Sequence, residues 1–256
     1  MVTHQQKNLR CAGVDISTLT RSQARAMLVR SGVNGPVVPM DVHLCNAYTL
    51  ALADSDPDYK ELLNESGLNL ADGLPVIWAN RVLHRGEPAP KERVRGTDLF
   101  VDVIGAGVEH QVRHYLLGST PEVLDALSEN LRRRCPGALI VGTESPPFRE
   151  LSEAERADQV IRLKESGAQI VWVGLGTPKQ DFETARLARE IPVVFVAVGA
   201  AFDFVAGTKK EAPEWMQRTG LEWTYRLMSE PRRLWRRYLF GNARFVAALI
   251  RNKKEV

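Results

Sequence analysis

Along this chain, short runs of apolar and β-branched residues alternate with stretches whose apolar positions recur at helical spacing. The runs VVPMDVHLC, HYLLGS, ALIVGT, QIVWVGLG and VVFVAVG predict strands. Between them, helices are expected around Asn46 to Ala53, from Pro121 to Arg134, from Ser152 to Ser166 and from Lys179 to Glu190. An earlier helix opens at Thr20, which precedes Gln23 at capping-box spacing; it is predicted to reach Arg30, with Gly32 just past its end. Strands this uniformly apolar belong to a parallel sheet covered on both faces. The expected fold class is therefore α/β, a Rossmann-like, mostly parallel sheet sandwiched by helices.

After Gly199 the alternation stops, and from Pro213 short helices rich in Arg and Trp take over. A boundary near Gly207 to Pro213 would divide an α/β catalytic core, 1–212, from a basic helical appendage, 213–256. Plotted at about 100° per residue, Pro231 to Arg251 places Trp235, Tyr238, Leu239, Phe245, Val246, Leu249 and Ile250 on one side. Arg233, Arg237, Arg244 and Arg251 fall on the other, provided that Gly241 does not interrupt the helix. One reading is an ordinary helix packed on the core with a solvated basic face. The other is an interfacial helix, aromatic residues entering the headgroup boundary and arginines meeting anionic lipid.

Charge sharpens this division. The 256 residues carry a net +3, yet Arg226 to Lys254 alone hold nine Lys or Arg against Glu230, so that segment is +8 and the remainder −5. A basic end of this kind meets phosphates on a nucleotide, a membrane or a nucleic acid, and each basic residue near an anionic surface adds about 1 kcal/mol. No stretch approaches the roughly 20 apolar residues of a spanning helix, and the start, MVTHQQKNLR, lacks the apolar run of a signal peptide. A cytoplasmic protein with one main domain is expected. Cys11, Cys45 and Cys135 have no metal or redox spacing and are expected to be reduced core residues.

Ligands in such sheets bind beyond the carboxyl ends of the strands, where loops and helix N-termini converge. Three strands end in glycine turns there, at Gly118, at Gly174 and Gly176, and at Gly199. Each glycine has a plain reading, a tight strand-to-helix turn; together they favour a nucleotide pocket. VGLGTPKQD is neither a Walker loop nor a dinucleotide fingerprint, because no Gly-Lys-Ser/Thr closes it, a third glycine is missing and Pro178 intrudes. Lys179 and Gln180 open the following helix, where they are surface residues or contacts to a diphosphate and a sugar hydroxyl. Asp72 stands at a strand end before Gly73 and a helix with Pro75 in its first turn. It reads first as an N-cap and second as a general base. Asp54, Asp56 and Asp58 have Asp-x-Asp spacing, but their polar, Pro57-containing link reads as helix-capping and turn chemistry. His4, His43, His84, His110 and His114 form no ligand pair. No metal and no cofactor are expected.

The ordered set CNAYTLALA, LADGLPVIWANR, ERVRGTDLF, LLGSTPEV, IVWVGLGTPKQD, AVGAAFDFVAG and EAPEWMQRTGLEWTYRLMSEPRRLWRRYL resembles the WecG/TagA/CpsF glycosyltransferases from about Gly13 to Leu239. The resemblance implies an inverting, metal-independent transfer from a UDP-sugar, often UDP-N-acetylmannosamine, to a sugar on a polyprenyl diphosphate. The products would feed teichoic acid, enterobacterial common antigen or exopolysaccharide. It implies an appendage that docks on the inner face of the membrane and completes the active site. By this resemblance Asp72 is the base, and Asn46, Arg93 and Gln180 line the pocket, Arg93 and Gln180 grouped with the catalytic residues. Arg226, Arg233 and Arg237 hold the diphosphates, and Asp203 joins Gly118, Gly174, Gly176, Lys179 and Gly199 among the substrate-binding residues. Leu44, Asp181 and Glu211 depart from the family pattern, where a threonine, a glutamate and an arginine are usual, which leaves the sugar open. A homo-oligomer is compatible with this reading. Its main rival is a phosphate-binding module that holds nucleic acid with the basic tail; the glycosyltransferase reading expects no nucleic acid.

Overall fold

The computed structural model describes residues 7–36, 40–65, 67–87 and 89–255. In chain order the elements are β1 (Asn8–Cys11), β2 (Val14–Ser17), α1 (Arg21–Asn34), β3 (Met40–Cys45), α2 (Ala47–Ser55), α3 (Pro57–Glu65), β4 (Leu68–Ala71), α4 (Leu74–Leu83) and α5 (Gly96–Gly107). Then come β5 (Arg113–Gly118), α6 (Pro121–Arg134), β6 (Leu139–Glu144), α7 (Glu153–Glu165), β7 (Ile170–Gly174), α8 (Lys179–Glu190), β8 (Val194–Ala197) and α9 (Ala201–Ala206). The basic end forms α10 (Glu214–Thr219), α11 (Glu222–Ser229) and α12 (Pro231–Arg251).

Eight strands make one sheet in the order β1-β2-β4-β3-β8-β7-β5-β6, every pairing parallel except the β1–β2 hairpin. The fold is α/β and Rossmann-like, as expected. Alternate strand residues serve opposite faces, and both sets are apolar. Val42, Leu44, Trp172 and Val196 join the cluster formed with α1, α5, α6 and α9. Cys45 and Ala71 pack with α2, α3 and α4, and Val171, Val173 and Phe195 pack with α7 and α8.

Several expectations change. Residues 37–39, the start of the expected VVPMDVHLC strand, lie outside the described residues. The capping box of α1 is present at Thr20 and Gln23, but the helix continues beyond Arg30 to Asn34. Gly32 lies inside it and does not end it, because a Cβ there would sit 3.1 Å from the Ile170 side chain; the glycine permits α1 to lie close on β7. Gly35, at φ 75°, is the cap instead. Asn46 lies just outside α2 as its N-cap, its carboxamide oxygen accepting from the N–H groups of Tyr48 and Thr49.

Gly241 leaves α12 unbroken, and α12 packs along α2. A Cβ at Gly241 would stand 3.2 Å from the Tyr48 ring, so the glycine lets the two helices approach. The single apolar side drawn from the sequence splits in two. Leu234, Gly241, Phe245 and Ala248 face inward, whereas Trp235, Leu239, Val246 and Ile250 remain exposed. Nor do all the arginines face water. Arg237 turns inward over the Tyr48 ring, 4.3 Å from its centroid, while Arg251 stays exposed and pairs with Asp54 on α2. No helix among the described residues is long and apolar enough to cross a membrane. Cys11, Cys45 and Cys135 are free and buried.

Candidate active site

Five neighbouring parallel strands, β4, β3, β8, β7 and β5, end on one edge of the sheet. They deliver, in that order, Asp72, Asn46, Gly199, the Gly174–Gly176 turn and Gly118. Topology thereby brings these strand-end candidates to a common rim.

Asp72 is partly buried at the end of β4, its own N–H bonded to the Cys45 carbonyl at 2.9 Å. It does not cap α4. Gly73 is the N-cap there, and no side chain bonds to that helix end. The carboxylate instead reaches the start of α5, where Oδ1 accepts from the Gly96 N–H at 3.1 Å. Among the described residues, no protein donor is bonded to Oδ2. Burial first, and then the charge of Glu222, raise its pKa to about 6 against the opposing Gly96 N–H, Arg93 and Arg95. A carboxylate tuned to that range is ionised at neutral pH yet retains appreciable basicity.

The Val94 N–H, bonded to the Ala71 carbonyl at 2.7 Å, holds the 93–95 segment against β4. Arg93 and Arg95 flank that anchor. Arg93 Nη1 meets Glu222 Oε2 at 3.0 Å, and Arg95 Nη2 meets Glu222 Oε1 at 3.4 Å. Arg95 also pairs with Asp98 and, at 2.6 Å, with Glu211. Of these three residues the family resemblance points to Arg93 alone; Arg95 and Glu222 emerge from the structure. The R-x-R spacing in ERVRG was the available signal for Arg95.

On the neighbouring strand end, Asn46 lies beside Gly73, whose Cβ would be 3.5 Å from its own. With its oxygen committed to capping α2, Asn46 presents its amide nitrogen as the remaining polar group. Two residues on, Tyr48 carries the Arg237 guanidinium on its ring. Arg237 Nε is buried without a hydrogen-bond partner among the described residues. Burial first, with the nearby charges of Arg226 and Arg233, lowers the Arg237 pKa from its ordinary value. Arg226 lies over Phe204, 5.5 Å from its centroid, and Arg95 lies 6.0 Å from the same ring. Arg233 pairs with Glu230 at 2.9 Å, and Lys209 joins Glu230 to Asp203, which it meets at 2.9 Å. The appendage thus brings three neighbouring arginines to the rim, one with an orphaned donor. Of the three, Arg237 holds the buried donor, whereas Arg233 is exposed and paired with Glu230.

Gln180 is buried, and its Oε1 accepts from the Gly176 N–H at 3.0 Å while lying 3.1 Å from where a Gly199 Cβ would be. Its amide is bonded to one glycine turn and lies against the other. Gly176, at φ 81°, has open space beside it. Gly118 and Gly174 answer a packing demand, since a Cβ on Gly118 would fall 2.5 Å from the Gly174 carbonyl oxygen and one on Gly174 would fall 2.6 Å from Phe202. Lys179 turns away into a separate groove of about 700 Å³ beside Leu175, Phe182 and Arg186, whose lining includes none of Asp72, Asn46 or Arg93.

Of the aspartate triplet, Asp56 has the expected capping role and Asp58 lies in the first turn of α3, whereas Asp54 lies inside α2 and bonds across to the end of α12. Asp56 accepts from the Tyr59 N–H at 3.2 Å, and Asp54 accepts from Asn252 at 2.9 Å. Of the three departures from the expected pattern, Leu44 is buried in the core beneath Gly96, and Glu211 is a partner of Arg95. Asp181 lies in the interior, accepting from His43 and from the Tyr59 hydroxyl, each at 2.8 Å. A family model, that of the glycosyl transferase WecG/TagA/CpsF family, matches residues 9–256.

Proposed function

Since this chain belongs to the WecG/TagA/CpsF family and is a glycosyltransferase, we propose that it is an inverting, metal-independent hexosyltransferase using a UDP-sugar. N-acetylmannosamine is the first donor sugar to test. The acceptor is a sugar on a polyprenyl diphosphate at the inner face of the cell membrane, and the product enters cell-surface polysaccharide or teichoic acid. The observation that carries this reading is a partly buried carboxylate, Asp72, flanked by Arg93 and Arg95, with Arg95 sharing the Phe204 ring with Arg226, the neighbour of Arg237.

The acceptor hydroxyl attacks the anomeric carbon from the face opposite UDP. As the new C–O bond forms, the proton passes to Asp72 and the bond to the diphosphate oxygen breaks, its electron pair leaving with UDP. A single displacement inverts the anomeric centre. The departing charge falls to side-chain cations: Arg237 offers the orphaned Nε, while Arg226 and Arg233 add neighbouring charge. Asn46 supplies an amide donor near the sugar. Arg93 and Gln180 hold the rim in shape, and Gly176 and Gly199 let the backbone approach the nucleotide.

A panel of UDP-sugars with a polyprenyl-diphosphate sugar, read by product mass, identifies donor and acceptor together. Asp72→Asn is expected to fold with unchanged circular dichroism and to lose about 10²–10⁴-fold in turnover, the contribution of a positioned base. Turnover in chelator is expected to match that in magnesium. Full turnover by the Asn variant, or loss in chelator with recovery in magnesium, would overturn the assignment.

A further inference from the structure

Glu222 stands in the appendage but reaches the rim, where its side chain is 16% exposed. Its two carboxylate oxygens go to different arginines, Oε2 to Arg93 and Oε1 to Arg95. Both arginines belong to the segment that the Val94–Ala71 hydrogen bond holds beside Asp72. Both guanidinium groups favour the Asp72 anion and weaken it as a base, and the negative charge of Glu222 opposes them.

We propose that Glu222 is a positioning residue for the transfer, bridging Arg93 and Arg95 so that its charge offsets the pull of the two guanidinium groups on Asp72. The proposal rests on the reading of Asp72 as the base. It makes the basicity of the centre conditional on the appendage, because α11 brings Glu222 only when it lies against the core. The charged and titratable groups around Asp72 are few. Cys45 comes from the end of β3, Arg93, Arg95 and Asp98 from the loop and first turn of α5, Glu222 from α11 and Glu211 from the connecting segment. Of the acids, Glu222 acts on Asp72 directly, whereas Glu211 and Asp98 engage Arg95. The sign agrees with this arrangement: the Glu222 charge raises the Asp72 pKa, and Arg93 and Arg95 lower it.

The test is the pH profile of kcat/KM for the full-length protein. The wild type should show an acidic limb near the Asp72 value of about 6. In Glu222→Gln that limb should move to lower pH by about one unit, with a several-fold fall in the plateau rate as the base weakens. Glu211→Gln removes another ion pair from the same arginine and should leave the limb in place. A merely structural role for Glu222 would lower the rate at every pH without moving the limb. Should Glu222→Gln prove too unstable to assay, Glu222→Asp serves, since the shorter side chain weakens the bridge and must shift the limb in the same direction by less. A limb unmoved in both variants, with Asp72→Asn inactive, overturns the role of Glu222 alone. Full turnover in Asp72→Asn overturns the underlying assignment of the base.

Discussion

Within the interior, His43 is fully buried with Asp41 bonded to Nε2 at 3.0 Å and Asp181 bonded to Nδ1 at 2.8 Å. Burial opposes the imidazolium, yet the two carboxylates prevail and raise the His43 pKa to about 9. The unfolded value is near 6.5, so the folded state binds the proton more tightly. The stability contributed by this site is fully present below about pH 6.5 and is lost as pH rises through 9. Urea midpoints between pH 6.5 and 9 should therefore fall in the wild type and flatten in His43→Asn. Removing one partner of a buried charge group costs about 3–5 kcal/mol, so the variant should also be less stable at pH 6.5. An equal slope in both proteins would refute a charged His43. This cluster was not legible in the sequence, where Asp181 stands next to Gln180 and invites assignment to the pocket. On a helix, adjacent residues face about 100° apart; Gln180 turns to the glycine turns and Asp181 to the core. Asp72 was legible as a strand-end carboxylate, but the helix it serves was not, because Gly96 lies 24 residues farther on.

Elements were legible where their pattern was long. The helices from Pro121 and from Lys179 have the expected bounds. The β1–β2 hairpin escaped notice because its strands are four residues each and its turn is Ala12-Gly13, both at positive φ, where Asn-Gly is the strong signal. The glycine turns were legible as turns, but not which of them answer packing and which leave room. Gly118 and Gly176 separate those demands. Both have positive φ, so Ala is strained at either, by about 1–2 kcal/mol. At Gly118 the new methyl would also meet the Gly174 backbone at 2.5 Å, whereas nothing lies within 4 Å at Gly176. Overpacking adds about 1–3 kcal/mol. Gly118→Ala should consequently unfold at a clearly lower temperature than Gly176→Ala; equal melting temperatures would show that the strand ends can part at no cost.

For the molecule as a whole, the division between core and appendage drawn from the sequence meets a physical constraint. Phe245 and Ala248 of α12 belong to the same buried cluster as Ala47, Leu50 and Ala51 of α2. Removing the chain after Gly220 takes away Leu234 and Phe245, both buried. At about 1.5–3 kcal/mol for each large apolar side chain, the loss is some 3–6 kcal/mol against a typical total of 5–15 kcal/mol. A core that still folds, at a markedly lower melting temperature, is the expected result. Truncation mixes lost packing with any lost docking, so it does not test the membrane contact that the family resemblance implies for the appendage. The exposed row does. Trp235, Leu239, Val246 and Ile250 are 42, 66, 55 and 71% exposed, and the basic Arg232 and Arg236 are exposed in the same helix. Replacing the four apolar residues with serine leaves the inward seam of Leu234, Gly241, Phe245 and Ala248 intact. The melting temperature should therefore hold within a few degrees. Binding to anionic phosphatidylglycerol vesicles in a flotation assay should fall at least tenfold, since entry of these side chains supplies the apolar part of interfacial binding. Turnover on a soluble, short-chain acceptor should persist while turnover on a vesicle-embedded acceptor falls. Unchanged vesicle binding by the serine variant would remove α12 from the membrane surface.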